Sequence, residues 1–322
     1  PEGTDDRAMY TDGPDVHTYL QWLSEQSFGQ DADSITVGEM SSTTIEACVG
    51  YTRPENHELS MVFNFHHLKV DYEDGQKWSL MAPDVPALKH LLNDWSLGLQ
   101  AGGGWNALFW NNHDQPRAVD RFGDVERYRY ESATMLATAI HLLRGTPYVY
   151  QGEELGQTNT VFTSIDDFRD LESVNHFHER VGVGDDPAAV LDGLKPNSRD
   201  NARTPVQWDA TENAGFTTGT PWIDVAPNAA DINAAAQVGV PGSVFEHYRA
   251  LISLRHSDDA LALGTFRLLD AEDPGSWVIL REHLTADGGR EQLLLVASCS
   301  RDGLGTGEGS ALRGRLAAER LD

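Results

Sequence analysis

Apolar residues in this chain gather in short blocks, separated by longer stretches in which they recur every three or four positions. The segment 15–28 spaces Val16, Tyr19, Leu20, Leu23 and Phe28 for one face of a helix. Strands are predicted at 34–39, 61–65, 106–110 and 146–150, with helices at 85–99 and 125–143 between them. Short, mostly buried strands joined by helices indicate parallel βα units. From 157 to 240 the periodicity loosens into a stretch rich in Asp, Asn, Gly and Pro, a length of loop that is uncommon unless it has a function. A helix at 242–256 ends it. Runs at 265–269, 277–280 and 292–297, set off by Asp, Gly and Pro turns such as 287–289 and 303–307, predict a small antiparallel β domain.

Composition narrows the partners. The 322 residues include 50 acidic and 24 basic side chains, a formal charge of -26, so nucleic acid and anionic membranes are disfavoured and a neutral ligand is expected. The same charge also serves simply as a solubilising surface. The two cysteines, Cys48 and Cys299, are far apart and fit no zinc spacing, and the acidic runs have no calcium-loop spacing. No metal or cofactor is expected from these residues, and the expected location is cytoplasmic.

The chemistry gathers where the strands end. Glu39 follows the first strand, His113 and Asp114 follow the third, and Glu153 and Glu154 follow the fourth. In a parallel α/β fold these ends converge on one face, so carboxylates distant in sequence share a pocket. Each acid also has a plainer use as a helix cap. The run 111–117, Asn-Asn-His-Asp-Gln-Pro-Arg, is harder to dismiss, because it places consecutive hydrogen-bonding and turn-forming residues directly after a buried strand.

Four segments carry a family resemblance: Thr-Val-Gly-Glu at 36–39, Phe-Trp-Asn-Asn-His-Asp-Gln-Pro-Arg at 109–117, Gly-Thr-Pro-Tyr-Val-Tyr-Gln-Gly-Glu-Glu-Leu-Gly at 145–156, and Ser-Arg-Asp-Asn-Ala-Arg-Thr-Pro-Val-Gln-Trp-Asp at 198–209. In this order they resemble the α-amylase superfamily, glycoside hydrolase family 13, and its oligo-1,6-glucosidase and α-glucosidase branch. The resemblance implies an α/β fold, the C-terminal half of a (β/α)8 TIM barrel over 1–256 with a small antiparallel β domain over 257–322. It implies Glu39 as general acid/base and Asp114 as the carboxylate that stabilises the transition state. His113 and Arg199 are implied at the cleaved glucose, Lys77 and Glu172 at the leaving sugar, and Phe65, His67 and Arg117 in the substrate-binding set. Where relatives often carry Glu-His, this chain has His66-His67.

A retaining glycosidase needs a second carboxylate about 5 to 5.5 Å from the acid. No Gly-Phe-Arg-x-Asp segment, the family's nucleophile motif, occurs in this chain. Of the earlier acids, Asp5 and Asp6 follow no strand, and Asp12 and Asp15 are assigned to the entry and first turn of the first helix. The nucleophile, the aspartate that pairs with Arg199 and any family calcium are therefore expected upstream of Pro1, in an N-terminal half of the same enzyme acting as partner. The expected activity is exo-acting hydrolysis of short α-glucosides such as isomaltose. Sucrose isomerisation or α-glucosyl transfer is the alternative within the family, and a noncatalytic sugar-binding subunit the alternative outside it.

Overall fold

The computed structural model describes residues 10–304 and Leu312. Asp5, Asp6 and most of the 303–307 turn lie outside the described residues. Four parallel strands, β1 (Val37–Met40), β2 (Met61–Asn64), β3 (Asn106–Leu108) and β4 (Thr146–Pro147), form one sheet in sequence order. Val37 pairs with Met61, Glu39 with Phe63, Phe63 with Ala107, and Leu108 with Pro147. Among the described residues the outer edges of β1 and β4 pair with no strand. This is the open half of a parallel barrel, as expected.

The helices in order are α1 (Val16–Gln26), α2 (Ile45–Thr52), α3 (Val85–Gly102), α4 (Ala118–Phe122), α5 (Arg129–Leu142), α6 (Leu171–Gly182), α7 (Pro187–Asn197), α8 (Ala234–Gln237), α9 (Val244–Ser257) and α10 (Asp259–Ala262). Local chemistry explains α3 well. Asp84 caps it by accepting from the Ala87 amide at 3.0 Å, and Pro86 suits the first turn. Leu88, Leu92, Trp95 and Leu99 form its buried stripe, and Gly103 ends it at φ 78. In α5 the buried positions wrap most of the way round, so its start cannot be read from an apolar stripe, and it begins at Arg129 rather than Val125.

Six helices were not foreseen: α2, α4, α6, α7, α8 and α10. Short α2, with β-branched residues and Gly50 inside it, is fixed by the Thr44 cap and by burial of Cys48 and Tyr51. The stretch 157–240 is a folded unit, because α6 and α7 pack together over Phe162, Phe168, Leu194 and Ile223. Its caps, Asp170 and Asp186, are among the polar residues that suggested loop.

Asp12 also departs from expectation. It stands outside α1 at φ 50 and accepts from the hydroxyls of Thr43 and Tyr51, each at 2.7 Å, while Asp15 holds the cap position without a side-chain cap bond. The predicted stripe of α1 is only partly covered: Tyr19 and Leu23 are exposed, as are Trp22 and, two residues before β1, Ile35.

After α10 comes a three-stranded antiparallel sheet, β5 (Thr265–Leu269), β6 (Ser276–Leu284) and β7 (Arg290–Ser298). Its Phe266, Trp277, Ile279 and Leu295 share one core with Leu92, Trp110, Leu136, Ile140 and Tyr248 of the α/β layer. Lys89 of α3 stitches the two layers together. Its buried ammonium donates to the carbonyls of Asp270, Asp273 and Ser276 at 3.0, 2.6 and 2.9 Å. Among the described residues no helix is long and apolar enough to cross a membrane.

Candidate active site

The C-terminal ends of the strands open into a cleft of about 340 Å³. Glu39 enters it from β1, Phe63 and Phe65 from β2 and the turn after it, Asn111 and His113 from the loop after β3, and Tyr148 and Tyr150 from the segment after β4. Aromatic edges and faces pack one another here, with Phe109 against both Phe63 and Phe65, and Tyr148 against Phe63. The arrangement is an apolar trough with one exposed carboxyl, Glu39, at its rim. Glu39 forms no ion pair or side-chain hydrogen bond among the described residues, which leaves it free to meet a ligand.

Asp114 turns from His113 toward a cluster of charges. Its Oδ1 accepts from Arg199 Nη1 at 3.0 Å and from Arg203 Nη2 at 2.9 Å, and its Oδ2 lies 3.4 Å from His113 Nε2. Arg203 also donates to the His113 carbonyl at 2.9 Å. Arg199 spans three acids, because its Nη2 reaches Glu172 at 2.6 Å and its Nε lies 3.3 Å from Asp170. Lys77 closes the row, with its ammonium 2.5 Å from Glu172 and over the ring of Trp78.

Burial opposes ionisation of Glu172, but the bonds from Lys77 and Arg199 outweigh it and hold the carboxyl below its ordinary range. Asp170 behaves alike: burial works against the charge, and the Ser173 hydroxyl and amide restore it. For Arg199, burial is overcome by Glu172, Asp170 and Asp114, which raise its pKa above the usual arginine value.

The structure thus brings Glu39, His113 and Phe65 to one cleft and gathers Asp114, Arg199, Lys77 and Glu172 in one charge row beside His113. Two other expected residues sit elsewhere. His67 is buried, its Nε2 is 3.1 Å from the Phe109 carbonyl, and burial pushes its pKa down to about 3. Arg117 is 1% exposed and spends its guanidinium on the carbonyls of Gln151, Asn201 and Ala202. Neither reaches the cleft surface; Arg117 ties together three loops around it.

Sequence reasoning missed Asp170, Asp200 and Arg203. Asp170 and Asp200 are buried acids, and Asp200 accepts from the amides of Arg169 and Asp170 at 2.6 and 2.8 Å, which sets the segment carrying Glu172. A signal for Arg203 was present in its spacing, four positions after Arg199 in one 3-10 turn. Within this chain Arg199 meets Asp114, Asp170 and Glu172. Among the described residues no group of three or more His, Cys, Asp or Glu side chains is placed to hold a metal ion.

Residues 1–264 match the family model of the alpha amylase catalytic domain. The trehalose-6-phosphate hydrolase of Bacillus subtilis (strain 168) is 53% identical over 297 residues, which cover 92% of this chain and 52% of that protein. The oligo-1,6-glucosidase of Parageobacillus thermoglucosidasius is 46% identical over 292 residues, covering 90% and 51%. The crystal structure of trehalose-6-phosphate hydrolase from Bacillus licheniformis superposes with a TM-score of 0.87 at 50% identity, covering 93% of this chain and 53% of that one. The chain spans about half the length of the curated relatives it matches. Trehalose-6-phosphate hydrolases had not been weighed from the sequence.

Proposed function

The chain belongs to the α-amylase catalytic-domain family, and we propose that it supplies the acid/base side of a retaining α-glucosidase site whose nucleophile comes from a second segment. The carrying observation is that Glu39, on β1, and His113, after β3, open into one aromatic cleft on either side of β2, with Asp114 one residue further on. In the proposed reaction Glu39 gives its proton to the glycosidic oxygen as the incoming carboxylate bonds to the anomeric carbon and the C–O bond breaks. Glu39 then takes a proton from water, whose oxygen displaces the carboxylate and releases glucose.

In this reading His113 and Asp114 hold hydroxyls of the cleaved glucose, Asp114 strengthening its contacts as charge develops on the ring. Arg199 closes the far side of that position, and Lys77 with Glu172 meets the leaving sugar. Phe65 supplies an apolar wall, while His67 and Arg117 hold loops. We assign 1–256 to the second half of the catalytic barrel and 257–322 to an accessory β domain.

The second segment is a half-barrel pairing at β1 and β4. Two features support it: both edges are unpaired among the described residues, and Tyr19 and Trp22 of α1 and Ile35, two residues before β1, stand exposed. An open parallel edge flanked by apolar side chains is unfavourable in water. Asp12, held by Thr43 and Tyr51, is engaged away from the cleft and is not the nucleophile in this reading.

For the substrate, greater identity to trehalose-6-phosphate hydrolases than to oligo-1,6-glucosidases favours trehalose 6-phosphate, with Lys77 as the cation nearest the leaving sugar. Isomaltose is the second reading, carried by the Lys77–Glu172 pair, which presents a neutral combined charge to an uncharged sugar.

The test is to assemble the chain with the first half of the Bacillus subtilis enzyme and measure glucose release from both sugars. That half joined to its own second half serves as control. Hydrolysis that needs both pieces, faster on trehalose 6-phosphate, is expected. An assembled pair that cleaves neither sugar while the control is active would overturn the proposal.

A further inference from the structure

Asn111 stands between the cleft and a small void of about 10 Å³ that is lined by Trp110, Ala118, Glu153 and Tyr248. Across that void a single buried carboxylate joins three elements. Glu153 Oε2 accepts from Asn111 Nδ2 at 2.6 Å, and its Oε1 accepts from the Tyr248 hydroxyl of α9 at 2.8 Å. With its amide nitrogen committed to Glu153, Asn111 turns its oxygen toward the Ala118 amide, 2.6 Å away. The Asn111 side chain therefore closes the loop 111–118, in whose middle His113 and Asp114 stand.

Gly152, just before Glu153, lies at φ 86, where other residues are strained, and a Cβ there would fall 2.3 Å from Gln157 Oε1. Burial pushes Glu153 up to about 7 against the opposing bonds from Asn111 and Tyr248. The charged and titratable groups around it are Glu154 on its own turn, Arg117 and Asp120 after β3, Arg129 and His141 on α5, and Tyr248 on α9. A carboxyl is a costly choice for this position if packing alone were needed.

We propose that Glu153 is a positioning residue which, through Asn111, sets the loop presenting His113 and Asp114 to the sugar. The inference rests on the glycosidase reading for its purpose, but its geometry is testable without it. Glu153→Gln keeps the link, since its oxygen accepts from Asn111 and its nitrogen donates to the Tyr248 oxygen. Glu153→Leu frees Asn111. Tyr248→Phe removes a buried bond of the same carboxylate and leaves Asn111 held, so it controls for lost stability.

The experiment measures hydrogen exchange at the Ala118 amide in the 322-residue chain under native conditions. Exchange is expected to accelerate at least about tenfold in Glu153→Leu, with Glu153→Gln and Tyr248→Phe near the parent. In the assembled enzyme kcat is expected to fall about tenfold or more in Glu153→Leu with KM little changed, and to recover in Glu153→Gln. Equal acceleration at Ala118 in Glu153→Leu and Tyr248→Phe, or none in either, overturns the proposal. If Glu153→Leu does not fold, unequal exchange at Ala118 between Glu153→Gln and the parent overturns it, and matched exchange with matched kcat upholds it. Absence of activity in the assembled parent enzyme counts against the glycosidase reading and leaves the exchange result standing by itself.

Discussion

Arg199 donates to Asp114 at 3.0 Å across 85 positions of sequence. The same guanidinium reaches Glu172, and Glu172 reaches Lys77, so residues from the β3 loop, the α6 cap region and the turn after β2 share one row of charge. Removing a member should be felt by the others, because each cation in the row faces a carboxylate and each carboxylate faces a cation.

Glu172→Gln tests this row through its pH dependence. The folded carboxyl titrates below its ordinary value, so its stabilising share is present above the unfolded pKa, near 4.5, and is lost as pH falls through the lower folded value. Thermal melts should show the variant less stable at pH 7, by under about 1 kcal/mol for a pair this exposed. The gap should begin to narrow as pH falls below about 4.5 and close once pH is below the lowered folded value.

Asp120 predicts the opposite sign. Burial raises its pKa to about 6, against the Asn159 amide that donates to it at 2.8 Å. A raised folded value means the carboxyl favours the fold most at low pH and loses that share as pH climbs from its unfolded value, near 3.8, through 6. Asp120→Asn should flatten the decline in melting temperature between about pH 4 and 6. A slope identical to the parent's over that interval would contradict the assignment.

Lys89→Met should loosen the β domain from the α/β layer. Three hydrogen bonds from one ammonium are lost at once, while the methionine refills most of the volume. Urea titration is expected to show a loss of about 3 kcal/mol. An unchanged midpoint would mean that the ammonium contributes little beyond packing.

The strands and their polar ends were legible because parallel strands buried on both faces read as apolar blocks, and β2 and β3 are almost wholly buried. Helices α6 and α7 were not, because the Asp, Asn and Gly residues that cap and flank them read as loop, although Val174 and Phe177 of α6 and Val190, Leu191 and Leu194 of α7 recur at helical spacing toward their shared core. At the site, Glu39, His113 and Arg199 stand in compact motifs, whereas the contacts of Asp170 with Arg199 and of Arg203 with Asp114 span 29 and 89 positions. Arg117 belonged to a motif, yet its burial under three loop carbonyls came only from the assembled loops.

The account's central claim is that this chain contributes the proton donor and the stabilising carboxylate while another segment contributes the nucleophile. The direct measurement is to react the assembled enzyme with a slow fluoroglucoside that traps the covalent intermediate, and then to weigh each polypeptide separately. The expected result is one glucosyl group on the complementary polypeptide and none on the 322-residue chain. A glucosyl group on the 322-residue chain, at Asp114, Asp12 or any other carboxylate, would contradict the account.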